Sequence, residues 1–231
     1  MLDRVCAVVP GYQAGETVGA VVDDLRGVLG IPVLVVDDGS TDRTGDVAAA
    51  RGAEVVRHDR NRGKGAALRT GLRRAAALGH RIAVTVDADG QHPATSALAV
   101  LRGSDDARAL VLGVRDLVRD GAPRANRFGN DVSNFFLSAF AGRRLRDTQC
   151  GLRRYPVLET LDLGATARGY AFEAEVILRA LAGGLSVVEV SVPAVYPPRG
   201  QGRSHFRNVR DPTRIVATVV RTVVTLRLRG R

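Results

Sequence analysis

Short apolar runs alternate with longer amphipathic segments along the first half of the chain. The runs at 5–9, 33–36, 55–56 and 82–86 are typical of buried strands. The segments at 17–29, 44–51 and 64–78 repeat apolar residues at helical spacing and predict helices. Because strands that alternate with helices form parallel sheets covered on both faces, the predicted fold class is α/β, with a mostly parallel central sheet.

The second half of the chain is less regular. Strands are predicted at 109–114 and 187–192, and helices at 124–141 and 173–181. Residues 196–207 contain two prolines, two glycines and three arginines, which favours a flexible basic loop. The segment 212–231 combines an apolar stripe with arginines and predicts a terminal helix, either packed on the domain or lying on anionic lipid. Residues 223–229, where β-branched residues dominate, also fit a strand.

Composition narrows the class of protein. The 231 residues are 45% hydrophobic, enough for one sizeable α/β core. Two cysteines cannot form a disulfide framework, and no uncharged apolar run reaches the ~18 residues of a membrane span. The start of the chain lacks a signal-peptide pattern, so we expect a cytoplasmic protein.

The net charge of +10 indicates an anionic partner, or simply a surface of solvated arginines. Aromatic residues make up only 4% of the chain, and tryptophan is absent. This composition does not resemble the interleaved aromatic and basic residues of a platform for single-stranded nucleic acid.

Two carboxylates follow the predicted strand at 82–86. Asp87 and Asp89 flank Ala88, and Gly90 ends the apolar run. Open α/β sheets bind ligands at the carboxyl ends of their strands. Divalent cations prefer oxygen ligands and share them with phosphate groups, so the pattern predicts a metal-bridged diphosphate, most simply that of a nucleotide-sugar. The alternative is an ordinary acidic turn.

The ends of the first two predicted strands carry further polar or aromatic residues: Pro10, Tyr12, Asp37 and Asp38. Tyr12 could stack on a base, and the carboxylates could accept hydrogen bonds from a base or a ribose, although a turn with a helix cap explains them too. The segment 61–65, Asn-Arg-Gly-Lys-Gly, precedes a helix whose N-terminus favours an anion. Lys64 either binds that anion or is simply exposed.

In their order along the chain, these segments resemble glycosyltransferase family 2. The similarity covers about residues 5–207 and lies in the segments 9–12, 35–42, 61–69, 86–93, 113–115, 147–153, 169–175 and 202–206. It is nearest to the enzymes that glycosylate dolichyl or polyprenyl phosphate. The resemblance implies a GT-A fold, inverting transfer from a GDP- or UDP-sugar, and Mg²⁺ or Mn²⁺ as cofactor.

The resemblance also implies roles for individual residues. Those on the donor would be Pro10, Tyr12, Asp37, Asp38, Lys64, Asp87, Ala88 and Gln91. Asp89 would bind the metal with support from Asp87, and Arg203 would close over the diphosphate. Those on the acceptor would be Arg115, Arg127 and Ser204, where guanidinium groups suit a phosphate.

The sequence leaves the acceptor open. Asp147 is the candidate general base if the acceptor is a hydroxyl group, whereas an anionic lipid phosphate needs no base and would leave Asp147 an orienting role. Glu173 and Glu175 are candidates for catalysis or for capping a helix. Gln13-Ala14 replaces the family's usual Asn-Glu, and the hydrophobic C-terminal spans of many polyprenyl-phosphate enzymes are not seen.

Three functions therefore stand side by side. They are sugar transfer to polyprenyl phosphate, transfer of the same donor to a natural-product or cell-envelope hydroxyl, and binding of nucleic acid by a basic module. The last leaves the acidic strand ends unexplained. We predict one catalytic domain over 1–211, with a nucleotide-binding half at about 1–107 and an acceptor half at 108–211. The basic segment 212–231 follows, and peripheral contact with the inner face of a membrane is a further expectation.

Overall fold

The computed structural model describes residues 4–122, 124–195 and 210–229. The strands in these ranges are β1 Val5–Gly11, β2 Val33–Asp37, β3 Glu54–Arg57, β4 Ile82–Thr85, β5 Leu110–Val114, β6 Arg153–Pro156 and β7 Val187–Ser191. The helices are α1 Val18–Leu29, α2 Thr44–Ala50, α3 Lys64–Ala77, α4 Ala94–Leu101, α5 Arg124–Ala141, α6 Val157–Asp162, α7 Ala171–Ala182 and α8 Arg210–Arg229.

All of these strands join one sheet in the order β3-β2-β1-β4-β6-β5-β7. β1 pairs in parallel with β2 and β4, β2 with β3, and β5 with β7, whereas β6 is antiparallel to β4 and β5. The predicted mostly parallel α/β sheet is confirmed. Because β6 is reversed, with Arg153 opposite Thr85, the segment that leads into β6 lies at the edge where the parallel strands end.

The sheet separates two hydrophobic clusters. Along β1, the side chains of Cys6 and Val8 join one cluster, and those of Ala7 and Val9 join the other. The first cluster includes residues of α3, α5, α7 and α8, and the second includes residues of α1, α2 and α4. Both faces of the sheet are therefore covered, which is why its strands read as continuous apolar runs rather than alternating ones.

Predicted and observed elements agree within two residues at each end where both exist. The sequence did not predict α4, β6 or α6. The strand β6 begins with Arg153 and Arg154, which are both buried. Two successive charged residues do not predict a buried strand, because their burial depends on tertiary contacts. The strand alternative for the last segment is wrong, because α8 buries Ile215, Val219 and Thr222 and contacts α5 and α7.

Candidate active site

The strand exits meet at one edge of the sheet. Gly11 lies opposite Asp37 in the register of β1 and β2, and β4 leads directly to Asp87. The reversed β6 brings the segment 147–152 to the same edge, beside the end of β5. The residues predicted from four separate stretches of sequence therefore share one edge, as expected for a ligand site of an open α/β sheet.

Asp87 and Asp89 sit at this edge in different electrostatic environments. Burial would raise the pKa of Asp87, but the charge and the hydrogen bond of Lys64 outweigh it and lower that pKa. The pKa of Asp89 is raised to about 6, because surrounding protein atoms desolvate its carboxyl group and because Asp87 repels its charge. Asp89 is exposed, so the repulsion from Asp87 is the stronger argument for that rise. A cation between the two carboxylates would relieve this repulsion.

The oxygen atoms at this edge are suitable ligands for a hard divalent cation. Asp87 and Asp89 supply carboxylate oxygens, and in the described part of the chain no three His, Cys, Asp or Glu residues gather into a metal cage. Mg²⁺ is usually held in this way, by one or two carboxylates together with substrate phosphates and water. Asp89 Oδ1 also accepts a hydrogen bond of 3.0 Å from the backbone N–H of Gln91, which orients the carboxylate. Ala88 between them is buried.

Lys64 is not an exposed residue. Its side chain is only 14% accessible, and its Nζ lies 2.7 Å from Asp87 Oδ1 and 3.4 Å from Glu173 Oε2. The ammonium also stands 5.4 Å from the ring centre of Tyr170. Of the two interpretations left open by the sequence, the structure excludes simple exposure and places Lys64 inside the candidate site.

The glycines beside Lys64 explain how it reaches this position. Gly63 has φ +88°, a backbone conformation that L side chains rarely adopt, and its N–H donates to Asp38 Oδ2 at 2.7 Å. A Cβ on Gly65 would stand 2.6 Å from Phe172 Cβ and 2.8 Å from the carbonyl oxygen of Ala167. Only glycine therefore lets the start of α3 approach α7 closely enough for Lys64 to contact Glu173.

The predicted nucleoside side is built around two buried carboxylates. Asp38 Oδ1 lies 2.6 Å from His58 Nδ1 and accepts the N–H of Arg62, so Asp38 fixes the loop before α3. Asp37 Oδ1 accepts the N–H of Ser40 at 3.0 Å. Both carboxylates are thus engaged by the protein, and a role of either in holding a nucleoside stays a prediction.

Gln13 links the first two strand exits. It has φ +53°, its Oε1 accepts the N–H groups of Thr41 and Asp42, and its Nε2 donates to Thr41 Oγ1 at 2.8 Å. Its own N–H donates to Ser40 Oγ. The departure from the family's Asn-Glu therefore has a structural use, because Gln13 holds the loop after β2 against the loop that contains Tyr12. Pro10 and Tyr12 are both half-buried beside it.

Arg115 and Asp147 form an ion pair at the exit of β5. The Nε of Arg115 donates to Asp147 Oδ2 at 2.7 Å and its Nη2 donates to Oδ1 at 3.1 Å. The backbone N–H of Arg115 also donates to Oδ2. The side chain of Asp147 is 0% accessible and that of Arg115 is 14% accessible. Asp147 is thus the buried partner of Arg115, and both of its carboxylate oxygens accept hydrogen bonds from that residue.

The sequence suggested no role for Arg153, but its side chain connects two segments of the site by hydrogen bonds. Its guanidinium is 1% accessible and donates to three backbone carbonyls, those of Cys150, Glu173 and Thr148, at 2.8–2.9 Å. It therefore fixes the segment before β6 to the start of α7. The sequence offered little signal for this, beyond two arginines at a point where apolar residues resume.

Some of the remaining predicted residues lie within the described part of the chain, and others lie outside it. Glu175 is buried and accepts the N–H groups of Thr166 and Ala167, so it orders the loop before α7 rather than capping that helix. Arg127 lies half-buried on α5. Arg203 and Ser204 lie outside the described residues, as does the predicted basic loop.

Comparison with known proteins places this chain in a family. Residues 6–157 match the model of the family described as glycosyl transferase family 2. A polyprenol monophosphomannose synthase of Mycolicibacterium smegmatis is 29% identical, over 90% of this chain and 83% of that protein. An undecaprenyl-phosphate mannosyltransferase of Micrococcus luteus is 30% identical, over 87% of each chain.

A solved structure has the same fold. The glucosyl-3-phosphoglycerate synthase of Mycobacterium tuberculosis, crystallised with Mn²⁺, UDP-glucose and phosphoglyceric acid, matches with a TM-score of 0.76. The match covers 94% of this chain and 79% of that one, at 21% identity. The expected GT-A fold is therefore confirmed.

Proposed function

We propose that this chain, which belongs to glycosyltransferase family 2, moves a sugar from a metal-bound nucleotide-sugar to polyprenyl or dolichyl phosphate with inversion. A phosphate oxygen of the acceptor would attack the anomeric carbon while the bond from that carbon to the donor diphosphate breaks. The electron pair of this bond leaves with the nucleoside diphosphate. Family membership makes the chain an enzyme rather than a nucleic-acid-binding module.

The observation that carries the choice of acceptor is the pair of Arg115 and Asp147. A hydroxyl acceptor must lose a proton. The candidate base Asp147 is buried, and its carboxylate already accepts two hydrogen bonds from the guanidinium of Arg115. A lipid phosphate is already anionic, so it needs no base. A guanidinium held in a fixed orientation is well suited to bind such a phosphate.

The donor side follows from the two carboxylates. Asp87 and Asp89 would hold the divalent cation, which when bound offsets the negative charge of the departing diphosphate. The side chain of Lys64 lies beside Asp87 and can face the same diphosphate. We assign binding of the rest of the nucleotide-sugar to Pro10, Tyr12, Asp37, Asp38, Ala88 and Gln91. Arg203 would close over the diphosphate.

We further propose that the enzyme meets the membrane through the outer surface of α5 and α8, here called the α5–α8 surface and defined by Phe128, Phe135, Val220 and Val224. These side chains are exposed by 69%, 68%, 53% and 51%. The two helices contact each other, and Arg214, Arg221 and Arg227 of α8 are exposed. Apolar residues mixed with cations suit an anionic lipid surface, where the acceptor resides.

The described residues contain no helix that is both long and apolar enough to cross a bilayer. Peripheral attachment through the α5–α8 surface would still let the enzyme reach a lipid phosphate. Two free, buried cysteines and a nucleotide-sugar donor fit a place at the cytoplasmic face of a membrane.

The proposal is tested by incubating the full chain with sugar-labelled UDP- and GDP-sugars and Mg²⁺ or Mn²⁺, with and without a polyprenyl phosphate. We expect one donor to release its nucleotide only when the lipid phosphate is present, and the label to move into the organic phase. A donor that is bound but turned over only with a soluble hydroxyl acceptor would contradict the lipid assignment.

A further inference from the structure

Lys64 is the only lysine in the chain. Of the 34 cationic side chains counted as Lys and Arg, the other 33 are arginines. The single ammonium is buried in the candidate site, 2.7 Å from Asp87 Oδ1. An ammonium is a compact point charge, whereas a guanidinium is planar and larger. A chain that otherwise uses arginine therefore has the smaller cation at the position next to the predicted metal ligand.

The space around this ammonium is closely fitted. A Cβ on Gly151 would stand 2.2 Å from Asp87 Oδ2 and 2.6 Å from Lys64 Nζ. The glycine thus leaves room for one ion pair and little else. The compact cation lies on the carboxylate at which a divalent cation is expected, so the two cations compete for the same charge.

A second acceptor is available to Lys64 within the same ion cluster. Glu173 is 2% accessible, and its Oε2 is 3.4 Å from Lys64 Nζ. Its Oε1 has no hydrogen-bond partner among the described residues and lies 3.8 Å from Arg153 Nε, beyond hydrogen-bond range. A buried carboxylate with an unused oxygen is costly unless a further donor engages it.

We propose that Lys64 is a resident counter-cation: its ammonium neutralises Asp87 until the metal-bound nucleotide arrives, and then moves onto Glu173. Lys64 thus weakens the repulsion between Asp87 and Asp89 in the donor-free enzyme. It also makes metal binding depend on the nucleotide, because the diphosphate adds the ligands that the metal needs to displace an ammonium. This inference rests on the proposed use of a metal-bound nucleotide.

The single lysine makes the test direct. Full-length protein grown with lysine carrying ¹³C at Cε gives one lysine side-chain signal by NMR. Two variants supply reference positions, since Asp87→Asn leaves Lys64 with Glu173 as its charged partner and Glu173→Gln leaves it with Asp87. We expect the wild-type signal to stay in place with Mg²⁺ alone and to move toward the Asp87→Asn position with Mg²⁺ plus UDP or GDP.

Calorimetry on the same samples separates the two claims. If the nucleotide binds with Mg²⁺ and the Lys64 signal stays in place or moves toward the Glu173→Gln position, the counter-cation role is overturned and the proposed donor survives. If neither UDP nor GDP binds with Mg²⁺, the proposed function fails and the inference fails with it. Lys64→Met should bind Mn²⁺ at least tenfold more tightly than wild type in the absence of nucleotide, and equal or weaker binding would contradict the competition.

Discussion

The guanidinium of Arg115 donates two hydrogen bonds to the carboxylate of Asp147, from Nε to Oδ2 at 2.7 Å and from Nη2 to Oδ1 at 3.1 Å. The two residues lie at the same end of an antiparallel pair of strands, because Arg115 follows β5 and Asp147 precedes β6. Asp147 thereby becomes part of the structure that positions a cation, and this relationship decides how its variants should behave.

Asp147→Asn tests positioning against general-base catalysis. If Asp147 orients Arg115, the variant should raise KM for a prenyl phosphate by about tenfold, since a charge-assisted hydrogen bond is worth roughly 1.5–3 kcal/mol. It should change kcat much less. Removal of a base should instead lower kcat by about 10²–10⁴-fold. Steady-state kinetics with varied acceptor distinguish these outcomes, and Asp131→Asn on the exposed side of α5 is the control.

Replacing Asp89 or Asp87 by asparagine should change the stability of the protein at pH 8 in opposite directions. The pKa of Asp89 is raised to about 6, so the stability that its protonated form contributes is present near pH 4 and is lost as pH rises through 6. Asp89→Asn should therefore raise the midpoint of thermal unfolding at pH 8 and leave it nearly unchanged at pH 4. The same variant should lose metal-dependent turnover.

Asp87→Asn is the matched comparison. Lys64 keeps the pKa of Asp87 below its usual range, so its contribution to stability is present at neutral pH and is lost as pH falls through the lowered value. This variant should unfold at a lower temperature than wild type at pH 8. Equal shifts for the two variants, measured by differential scanning calorimetry, would contradict the assigned electrostatics.

Gly65→Ala should destabilise the protein and disturb the site together. The added Cβ meets Phe172 Cβ and the carbonyl oxygen of Ala167 at less than 3.0 Å, so α3 and α7 must separate. We expect a loss of about 1–3 kcal/mol in the free energy of unfolding in urea. Gly27→Ala is the control, because its Cβ would meet nothing within 4 Å on α1, and it should stabilise by roughly 0.5–1 kcal/mol.

Replacing Phe128 and Phe135 together by serine should weaken binding to anionic vesicles by at least about tenfold, because two large apolar side chains no longer insert. Co-sedimentation with vesicles that contain phosphatidylglycerol measures the change. Val28→Ser is the control, since Val28 is 44% exposed on α1, on the other face of the sheet. Unchanged binding of the double variant would exclude the α5–α8 surface as the contact.

The sequence predicted the parallel framework because fully buried strands and amphipathic helices have distinct periodicities. It could not show β6, because its Arg153 is buried by hydrogen bonds to the carbonyls of Cys150, Thr148 and Glu173, and Glu173 belongs to another element of the fold. For the same reason the sequence left open whether Lys64 binds an anion or is simply exposed. Its burial depends on the close approach that Gly65 allows between α3 and α7.

The sequence predicted which residues lie at this edge of the sheet better than it predicted their contacts with one another. Asp87 and Asp89 lie at the expected edge because strand ends are local features. The pairing of Asp147 with Arg115 depends on the reversed direction of β6, which no local pattern encodes. The role of Arg203 stays a prediction, because its residue range lies outside the described part of the chain.

The most direct test compares two acceptors that differ only in the phosphate. Citronellyl phosphate and citronellol are offered to the enzyme with its preferred nucleotide-sugar and metal, and nucleotide release and glycosylated product are measured together. We predict turnover with the phosphate and none above background with the alcohol. Transfer to the alcohol, lost in Asp147→Asn, would contradict the account and make Asp147 a general base.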